Sequence, residues 1–88
     1  MEVLFDKNFE KELLNELNPQ IKLTIKEIIT QIEKAQSLTD IPNVKKLKGY
    51  KSYYRIKFSS YRIGIELIES SLIFVTYGHR KDFYRYFP

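Results

Sequence analysis

The sequence predicts an α+β domain in which a helical hairpin packs on one face of a small antiparallel sheet. The predicted element order is β-α-α-β-β-β, followed by a short C-terminal tail. Three observations predict it: apolar residues recur at helical spacing early in the chain, alternate with a period of two from Tyr53 onward, and are interrupted by turn residues. Because 88 residues support one hydrophobic core and show no internal repeat, residues 1–88 are predicted to form a single domain.

The first half of the chain is predicted to contain one strand and two helices. Residues 1–5 form the strand, and Asp6 is placed to cap a first helix whose apolar positions recur every four residues up to Leu17. Asn18-Pro19 begins the second helix, with Asn at the N-cap and Pro at the first helical position. An amphipathic stripe then defines the helix face that is predicted to be buried: Ile21, Ile25, Ile28, Ile32 and Ala35.

The second half is predicted to form the antiparallel meander. Residues 37–43 link the halves, and strands follow over residues 53–58, 61–67 and 72–77, with Ser59-Ser60 as a tight turn and Gly78 ending the last strand. The last ten residues are predicted to form a tail with about one helical turn. Strand alternation predicts a face buried against the helices, which carries Ile56, Phe58, Ile63 and Ile65, and an outer face, which carries Arg55, Lys57 and Arg62.

Charge is divided unevenly along the chain. Residues 44–88 hold ten Lys+Arg against three acids, a formal +7, and all seven tyrosines, whereas residues 1–43 hold five cations against eight acids, a formal −3. Clustered cations interleaved with aromatic rings favour a polyanion whose bases can stack, such as single-stranded RNA. The absence of cysteine excludes disulfides, zinc–thiolate sites and thiol catalysis. No carboxylate or histidine cluster has metal-ligand spacing, so no metal and no cofactor is predicted.

The sequence also bears on where the protein acts. No apolar run approaches the roughly 18 residues of a membrane span, and the N-terminus lacks the pattern of a signal peptide. We therefore expect a cytoplasmic protein without a membrane partner.

The outer strand face is predicted to hold a phosphate. Pairing across Ser59-Ser60 makes Arg55, Lys57 and Arg62 neighbours, and like charges that close repel unless an anion lies between them. A single outward-facing cation is usually a solvated surface charge. Three that converge on one face, near Arg80 at the end of the adjoining strand, favour an anion-binding site.

In order and spacing, four segments resemble the RelE/ParE superfamily of bacterial toxins: VKKLKG (44–49), YRIKF (54–58), YRI (61–63) and GHRKDFY (78–84). Resemblance to the RelE branch implies the toxin of a type II toxin–antitoxin system, an mRNA interferase that inhibits translation, often by cutting mRNA in the ribosomal A site. It also implies a cognate acidic antitoxin that forms a hetero-oligomer with the toxin. The site residues that it implies are Arg55, Lys57, Arg62, Arg80 and a C-terminal tyrosine, either Tyr84 or Tyr86.

The sequence departs from the RelE pattern in two places, and two other functions are compatible with it. Position 55 holds Arg where RelE itself has Lys, and the short tail does not rank the two tyrosines. The ParE branch has the same fold but poisons DNA gyrase without cutting RNA. A non-catalytic module that binds only RNA or an antitoxin is the other alternative.

The residue types suit RNA cleavage in which the 2′-hydroxyl attacks the adjacent phosphate. Arg62 and Arg80 would bind the phosphate, Lys57 would transfer a proton, and Arg55 would assist. His79, the only histidine, is a further acid–base or RNA-binding candidate, although a surface or strand-capping role suits it better. A second basic group would contact RNA backbone without reading sequence: Lys45, Lys46 and Lys48.

Overall fold

The computed structural model describes residues 1–88 and contains a five-stranded sheet with three α-helices. The elements in chain order are β1 (Glu2–Phe5), α1 (Lys7–Leu14), α2 (Pro19–Lys34), a 3₁₀ turn (Leu38–Asp40), β2 (Val44–Lys46), β3 (Tyr53–Phe58), β4 (Tyr61–Ile68), β5 (Ser71–His79) and α3 (Arg80–Tyr86). This arrangement confirms the predicted α+β class and the predicted sequence of helices and longer strands. None of the helices is long and apolar enough to cross a membrane.

The sheet has the strand order β1-β5-β4-β3-β2, and it is mixed rather than antiparallel throughout. β1 pairs with β5 in parallel, while the other neighbours are antiparallel. The expectation of an all-antiparallel sheet is therefore wrong at this edge, because the first strand returns beside the last one, a non-local pairing that leaves no local pattern. β2 was not predicted, since three residues are too few to show a period of two.

Side-chain caps set where the two hairpin helices begin. Asp6 accepts a hydrogen bond from the backbone N–H of Asn8, and Asn18 accepts one from the N–H of Gln20 at 2.9 Å. α1 ends at Leu14 rather than near Leu17, whose side chain is 94% exposed. The early end follows from the cap of α2, because Asn18 needs extended backbone to reach the first turn of that helix.

The core lies between the sheet and the α1–α2 hairpin, as the alternation predicted. Ile56, Ile63 and Ile65 are buried on the sheet side. Phe58 lies on the same face and is partly buried against them. The side chains that complete this core come from both hairpin helices and from β5: Phe9, Ile25, Ile32, Leu72, Phe74 and Tyr77.

The opposite face of the sheet is covered in part by α3, where the sequence predicted only a tail with about one helical turn. Phe83 and Phe87 are each 3% exposed, and their rings lie 5.3 Å apart between centroids. Phe87 rests on Gly64, where an added Cβ would stand 2.6 Å from the ring. The Tyr53 ring packs edge-on against Phe87, with 5.4 Å between the ring centroids. The C-terminal residues predicted as a tail are therefore anchored by two buried aromatic rings.

A carboxylate covers the part of β5 that extends past β1. β1 pairs with β5 only as far as Phe74, and Glu12 of α1 then accepts hydrogen bonds from the Thr76 hydroxyl at 2.7 Å and the Tyr77 N–H at 3.3 Å. Tyr77 also donates its hydroxyl proton to the Glu16 carboxylate at 2.6 Å. Burial raises the pKa of Glu12, although its hydrogen bonds to Thr76 and Tyr77 act in the opposite direction.

The contact between Gly64 and Phe87 can be tested with a matched pair of glycine substitutions. Gly64→Ala should lower the free energy of unfolding by about 1–3 kcal/mol, because its methyl group overlaps the Phe87 ring. Gly78→Ala in β5 should change it little, since a Cβ there meets nothing within 4 Å. Urea unfolding of both variants measures the difference. Equal stability of the two variants would show that Phe87 does not rest on Gly64.

The buried carboxylate should produce a defined pH dependence. Because its pKa is raised in the folded state, Glu12 keeps its proton to a higher pH there than in the unfolded chain. The free energy of unfolding should therefore fall as pH rises from the ordinary value of 4.5 through the raised pKa. Glu12→Gln keeps an acceptor for Thr76 but cannot ionise, so its fall should be smaller. Urea unfolding between about pH 4 and pH 7 measures both profiles, and parallel profiles would contradict the assignment.

Candidate functional site

Two cations and a glycine form one row across the outer face of the sheet. Lys57 of β3 is the direct partner of Arg62 in β4, and Arg62 is the partner of Gly78 in β5. Side chains directly opposite each other have Cβ atoms about 4.5–5.5 Å apart, so the two cations are immediate neighbours. Gly78 has no side chain, and the space above its Cα is open. The row therefore presents two adjacent positive charges, and no side chain covers the outer face at its β5 end.

Arg55 belongs to the adjacent row, yet its guanidinium reaches toward Lys57. Arg55 is the partner of Gly64 on one side and of Lys45 on the other. Its Nη1 donates to the Asn43 carbonyl at 3.0 Å, and the same carbonyl accepts the backbone N–H of Lys57 at 3.0 Å. The Arg55 guanidinium therefore lies at the level of Lys57, while Phe87 covers the far end of its own row above Gly64.

Arg80 is held next to this row by the main chain. Its backbone N–H donates to the Ser60 carbonyl at 2.8 Å, which ties the first residue of α3 to the β3–β4 turn. Arg62 emerges from the same turn, and its Nη1 donates to the Tyr61 carbonyl at 2.9 Å. The structure thus brings the main-chain positions of the predicted cations, from three elements, to one corner of the sheet.

Helix geometry separates the two candidate tyrosines. Phe83 and Phe87 define the buried side of α3, and at 100° per residue Tyr84 and Tyr86 fall on opposite flanks of it. Tyr86 lines a cavity at the free edge of β5 together with Asp82, which precedes it by one turn. Tyr84, one turn after Arg80, therefore occupies the flank that faces β4 and β3. It is 55% exposed, so its ring is accessible from that side.

No carboxylate neutralises these cations. The one ion pair within 4.0 Å joins Arg85 to Asp82 at 3.8 Å, on the exposed side of α3. Arg55 and Arg62 instead donate to main-chain carbonyls, which are uncharged acceptors. The corner of the sheet therefore keeps its full positive charge, as expected of a surface that binds an anion.

The structure does not bring every predicted site residue to this corner. Lys46 is the partner of Tyr54 and so points to the other face of the sheet, while Lys48 lies in the turn after β2. Lys45 shares the outer face with its partner Arg55. His79 lies beside Tyr61 on the hairpin side, with ring centroids 5.6 Å apart, and its Nδ1 accepts the N–H of Lys81. The histidine is therefore the N-cap of α3.

A cavity of about 460 Å³ lies at the free edge of β5 and adjoins the cationic row, since Gly78 contributes to its lining. Glu12 and Asp82 contribute carboxylates to its lining. Acidic walls repel phosphate, so the electrostatics assign an anionic ligand to the open cationic corner rather than to this cavity.

Sequence reasoning missed three contributors to the corner. The Asn43 carbonyl orients Arg55, the Ser60 carbonyl fixes the start of α3, and Gly78 leaves the row open. Two of these are main-chain atoms, which carry no residue-type signal. The turn residues Pro42-Asn43 and Ser59-Ser60 were the only indication in the sequence.

The fold and the corner together define a class: a small α+β protein that presents an unneutralised Arg/Lys cluster beside a tyrosine, suited to a polyanion. The chain is 45% identical to Toxin RelE3 of Methanocaldococcus jannaschii over an 89-position alignment that spans 100% of both proteins. No protein-family model matches the chain. The full-length identity shows that the chain belongs to the RelE family of toxins.

Solved structures agree with this membership. A chain of the RelB–RelE antitoxin–toxin complex from Methanococcus jannaschii superposes with a TM-score of 0.79 at 43% identity, covering 97% of this chain and 99% of that one. A chain of the intact RelBE toxin–antitoxin complex from E. coli gives a TM-score of 0.68 at 22% identity, covering 89% and 94%. At that lower identity the likeness concerns the fold alone.

Proposed function

We propose that this protein is an endoribonuclease, the toxin of a type II toxin–antitoxin pair, and that it cuts mRNA at the cationic corner. The observation that carries the proposal is the row of Lys57, Arg62 and Gly78, flanked by Arg80 and left without a carboxylate partner. Such a row binds a phosphodiester through its charge, and Gly78 adds no side chain that would obstruct the phosphate.

The proposed reaction is an internal transfer within the RNA. A base removes the proton of a 2′-hydroxyl, whose oxygen attacks the adjacent phosphorus, and the bond from phosphorus to the 5′-oxygen of the next nucleotide breaks. That leaving oxygen takes up a proton, so the products carry a 2′,3′-cyclic phosphate and a 5′-hydroxyl. The protein must align these atoms, stabilise the charge that gathers on phosphorus and move two protons.

The cations divide these tasks according to their chemistry. The planar guanidinium forks of Arg62 and Arg80 bind the non-bridging phosphate oxygens and remain charged throughout. Lys57 lies between them and Arg55 and transfers a proton at the reacting centre. Arg55 supplies a second contact to the phosphate from the β2 side.

Tyr84 is the tyrosine of this site, and Tyr86 is not. The support is the geometry of α3, in which Tyr84 follows Arg80 by one turn on the flank facing the cations. Its exposed ring can stack on a base next to the cut, a contact that tolerates different sequences. Tyr86 lies on the flank that lines the acidic cavity.

The remaining basic residues extend the RNA path. Lys45 continues the outer face beyond Arg55, and Lys48 follows it in the adjoining turn, where both can bind flanking phosphates. Lys46, on the reverse face, and His79, which caps α3, are assigned no contact with the reacting nucleotides. The substrate is mRNA in the cytoplasm, either free or in the ribosomal A site.

An acidic antitoxin is the proposed partner. The Methanococcus jannaschii structure, one chain of which this protein resembles at 43% identity over 97% of its length, is an antitoxin–toxin complex. A formal +7 over residues 44–88 favours an acidic segment that covers the cationic corner in a hetero-oligomer. In that complex the antitoxin would exclude RNA by occupying the same charges.

The function can be tested by inducing the protein in a bacterium and mapping transcript 5′ ends, with Arg80→Ala as the matched variant. Wild type should arrest growth and produce new ends at discrete positions, and Arg80→Ala should lower the cutting rate by about 10²-fold or more, the loss typical for one charge-stabilising donor. Identical ends in the two strains would refute the nuclease. Growth arrest with DNA damage and intact mRNA would indicate a gyrase poison instead.

The choice of tyrosine gives a second prediction. Tyr84→Ala should lower RNA cleavage about tenfold or more, because a base stack is worth about 1–3 kcal/mol. Tyr86→Ala should leave cleavage near the wild-type rate. Both side chains are exposed, so both variants should fold, which circular dichroism can check. The assignment is wrong if Tyr86→Ala is the more damaging substitution.

A further inference from the structure

Three residues other than glycine have a left-handed backbone: Asn43, Ser59 and Glu69, with φ of 65°, 51° and 55°. This conformation is unfavourable for residues with a Cβ, and Asn tolerates it best. Asn43 precedes β2, Ser59 forms the β3–β4 turn, and Glu69 forms the β4–β5 turn. The carbonyls of Asn43 and Ser59 hold arginines of the proposed site, whereas that of Glu69 holds no side chain.

The Asn43 carbonyl binds two donors at once. It accepts the backbone N–H of Lys57 at 3.0 Å, which closes the ladder between the strands, and it accepts Nη1 of Arg55 at 3.0 Å. A carbonyl oxygen has two lone pairs, so both bonds can form without competition. One backbone atom therefore fixes the strand position of Lys57 and the orientation of the Arg55 guanidinium.

The Ser59 carbonyl likewise accepts a hydrogen bond from the Arg62 guanidinium. Nη1 of Arg62 lies 3.4 Å from the Ser59 carbonyl and 2.9 Å from the Tyr61 carbonyl, so the guanidinium folds back over the β3–β4 turn. A guanidinium carries five N–H donors, and these contacts engage only Nη1. The donors on Nη2 and Nε stay free for a phosphate.

We propose that Asn43 and Ser59 are positioning residues, which use left-handed backbone to aim their carbonyls at Arg55 and Arg62. This inference rests on the proposed function of the two arginines. A carboxylate in the same place would orient a guanidinium equally well, but it would cancel the charge that the phosphate needs. A neutral carbonyl orients the guanidinium and leaves that charge intact, so the site is organised before RNA arrives.

The chain supplies its own control for backbone strain. Asn43→Val places a β-branched residue at φ 65°, and Glu69→Val does the same at φ 55°, where no cation is held. Asn43→Val should lower kcat for RNA cleavage about 10- to 100-fold with little change in KM, because misplaced transition-state contacts reduce kcat. Glu69→Val should not. Asn43→Gly, which adopts positive φ without strain, should recover most of the loss.

Double variants that also remove the arginine distinguish a positioning role of Asn43 and Ser59 from general destabilisation of the protein. In an Arg55→Ala background, the loss of kcat caused by Asn43→Val should be much smaller than in wild type, since only the contact of the Asn43 carbonyl with the Lys57 N–H remains to be disturbed. Ser59→Val should lose its effect in an Arg62→Ala background. The proposal is overturned if Asn43→Val and Glu69→Val impair cleavage equally, or if Asn43→Val keeps its full effect without Arg55.

A readout independent of cleavage keeps this inference separate from the proposed function. In ¹⁵N-labelled protein, rotation of the Arg55 guanidinium should be hindered in wild type and become fast in Asn43→Val, while Glu69→Val matches wild type. If wild type cuts no RNA but this contrast appears, the proposed function fails and the positioning stands. If the guanidinium rotates equally fast in all three proteins, the positioning is refuted whatever the cleavage result.

Discussion

The docking of α3 on the outer face of the sheet is the constraint on which the site depends. Two buried rings, Phe83 and Phe87, hold the helix, and Gly64 is the position at which the sheet admits the second ring. Once the buried side of α3 is fixed, the 100° rotation per residue determines which of its residues face the cations. Arg80 and Tyr84 fall toward β4 and β3, while Asp82 and Tyr86 fall toward the acidic cavity. The packing of two apolar rings thus decides which side chains of α3 lie beside the cations.

The same face shows how the molecule tolerates uncompensated charge. Lys57 and Arg62 are direct partners in the sheet, an arrangement that destabilises a ladder when the charges are alike. The core beneath them offsets this cost, since Ile56 and Ile63 of the same strands are almost fully buried against the helices. Glu12 and Glu16 are hydrogen-bonded to β5, and Glu66 at the other end of β4 accepts a hydrogen bond from Ser52. The core on the helix side of the sheet thereby stabilises strands whose other side carries the uncompensated charge.

Sequence patterns predicted what depends on local periodicity. The alternation that placed Ile63 in the core also placed Arg62 outside, and Asn18-Pro19 gave the start of α2. Non-local and main-chain features were not predictable. The parallel pairing of β1 with β5 joins the two ends of the chain, β2 is too short to show a period, and the tail gave no reason to expect Phe87 above Gly64. The proposed choice of Tyr84 over Tyr86 depends on which side of α3 is buried, and the carbonyl contacts of the arginines depend on main-chain geometry that leaves no residue-type pattern.

The central claim is that the cationic corner promotes attack of an RNA 2′-hydroxyl on its own phosphate. The most direct measurement uses a synthetic mRNA with one 2′-deoxynucleotide immediately 5′ of a mapped cut, presented both free and on programmed ribosomes. The account predicts that this single change abolishes the cut there while neighbouring cuts continue, and that products of the unmodified RNA end in a 2′,3′-cyclic phosphate. Continued cutting at the 2′-deoxy position would contradict it, because the nucleophile would then have to come from elsewhere.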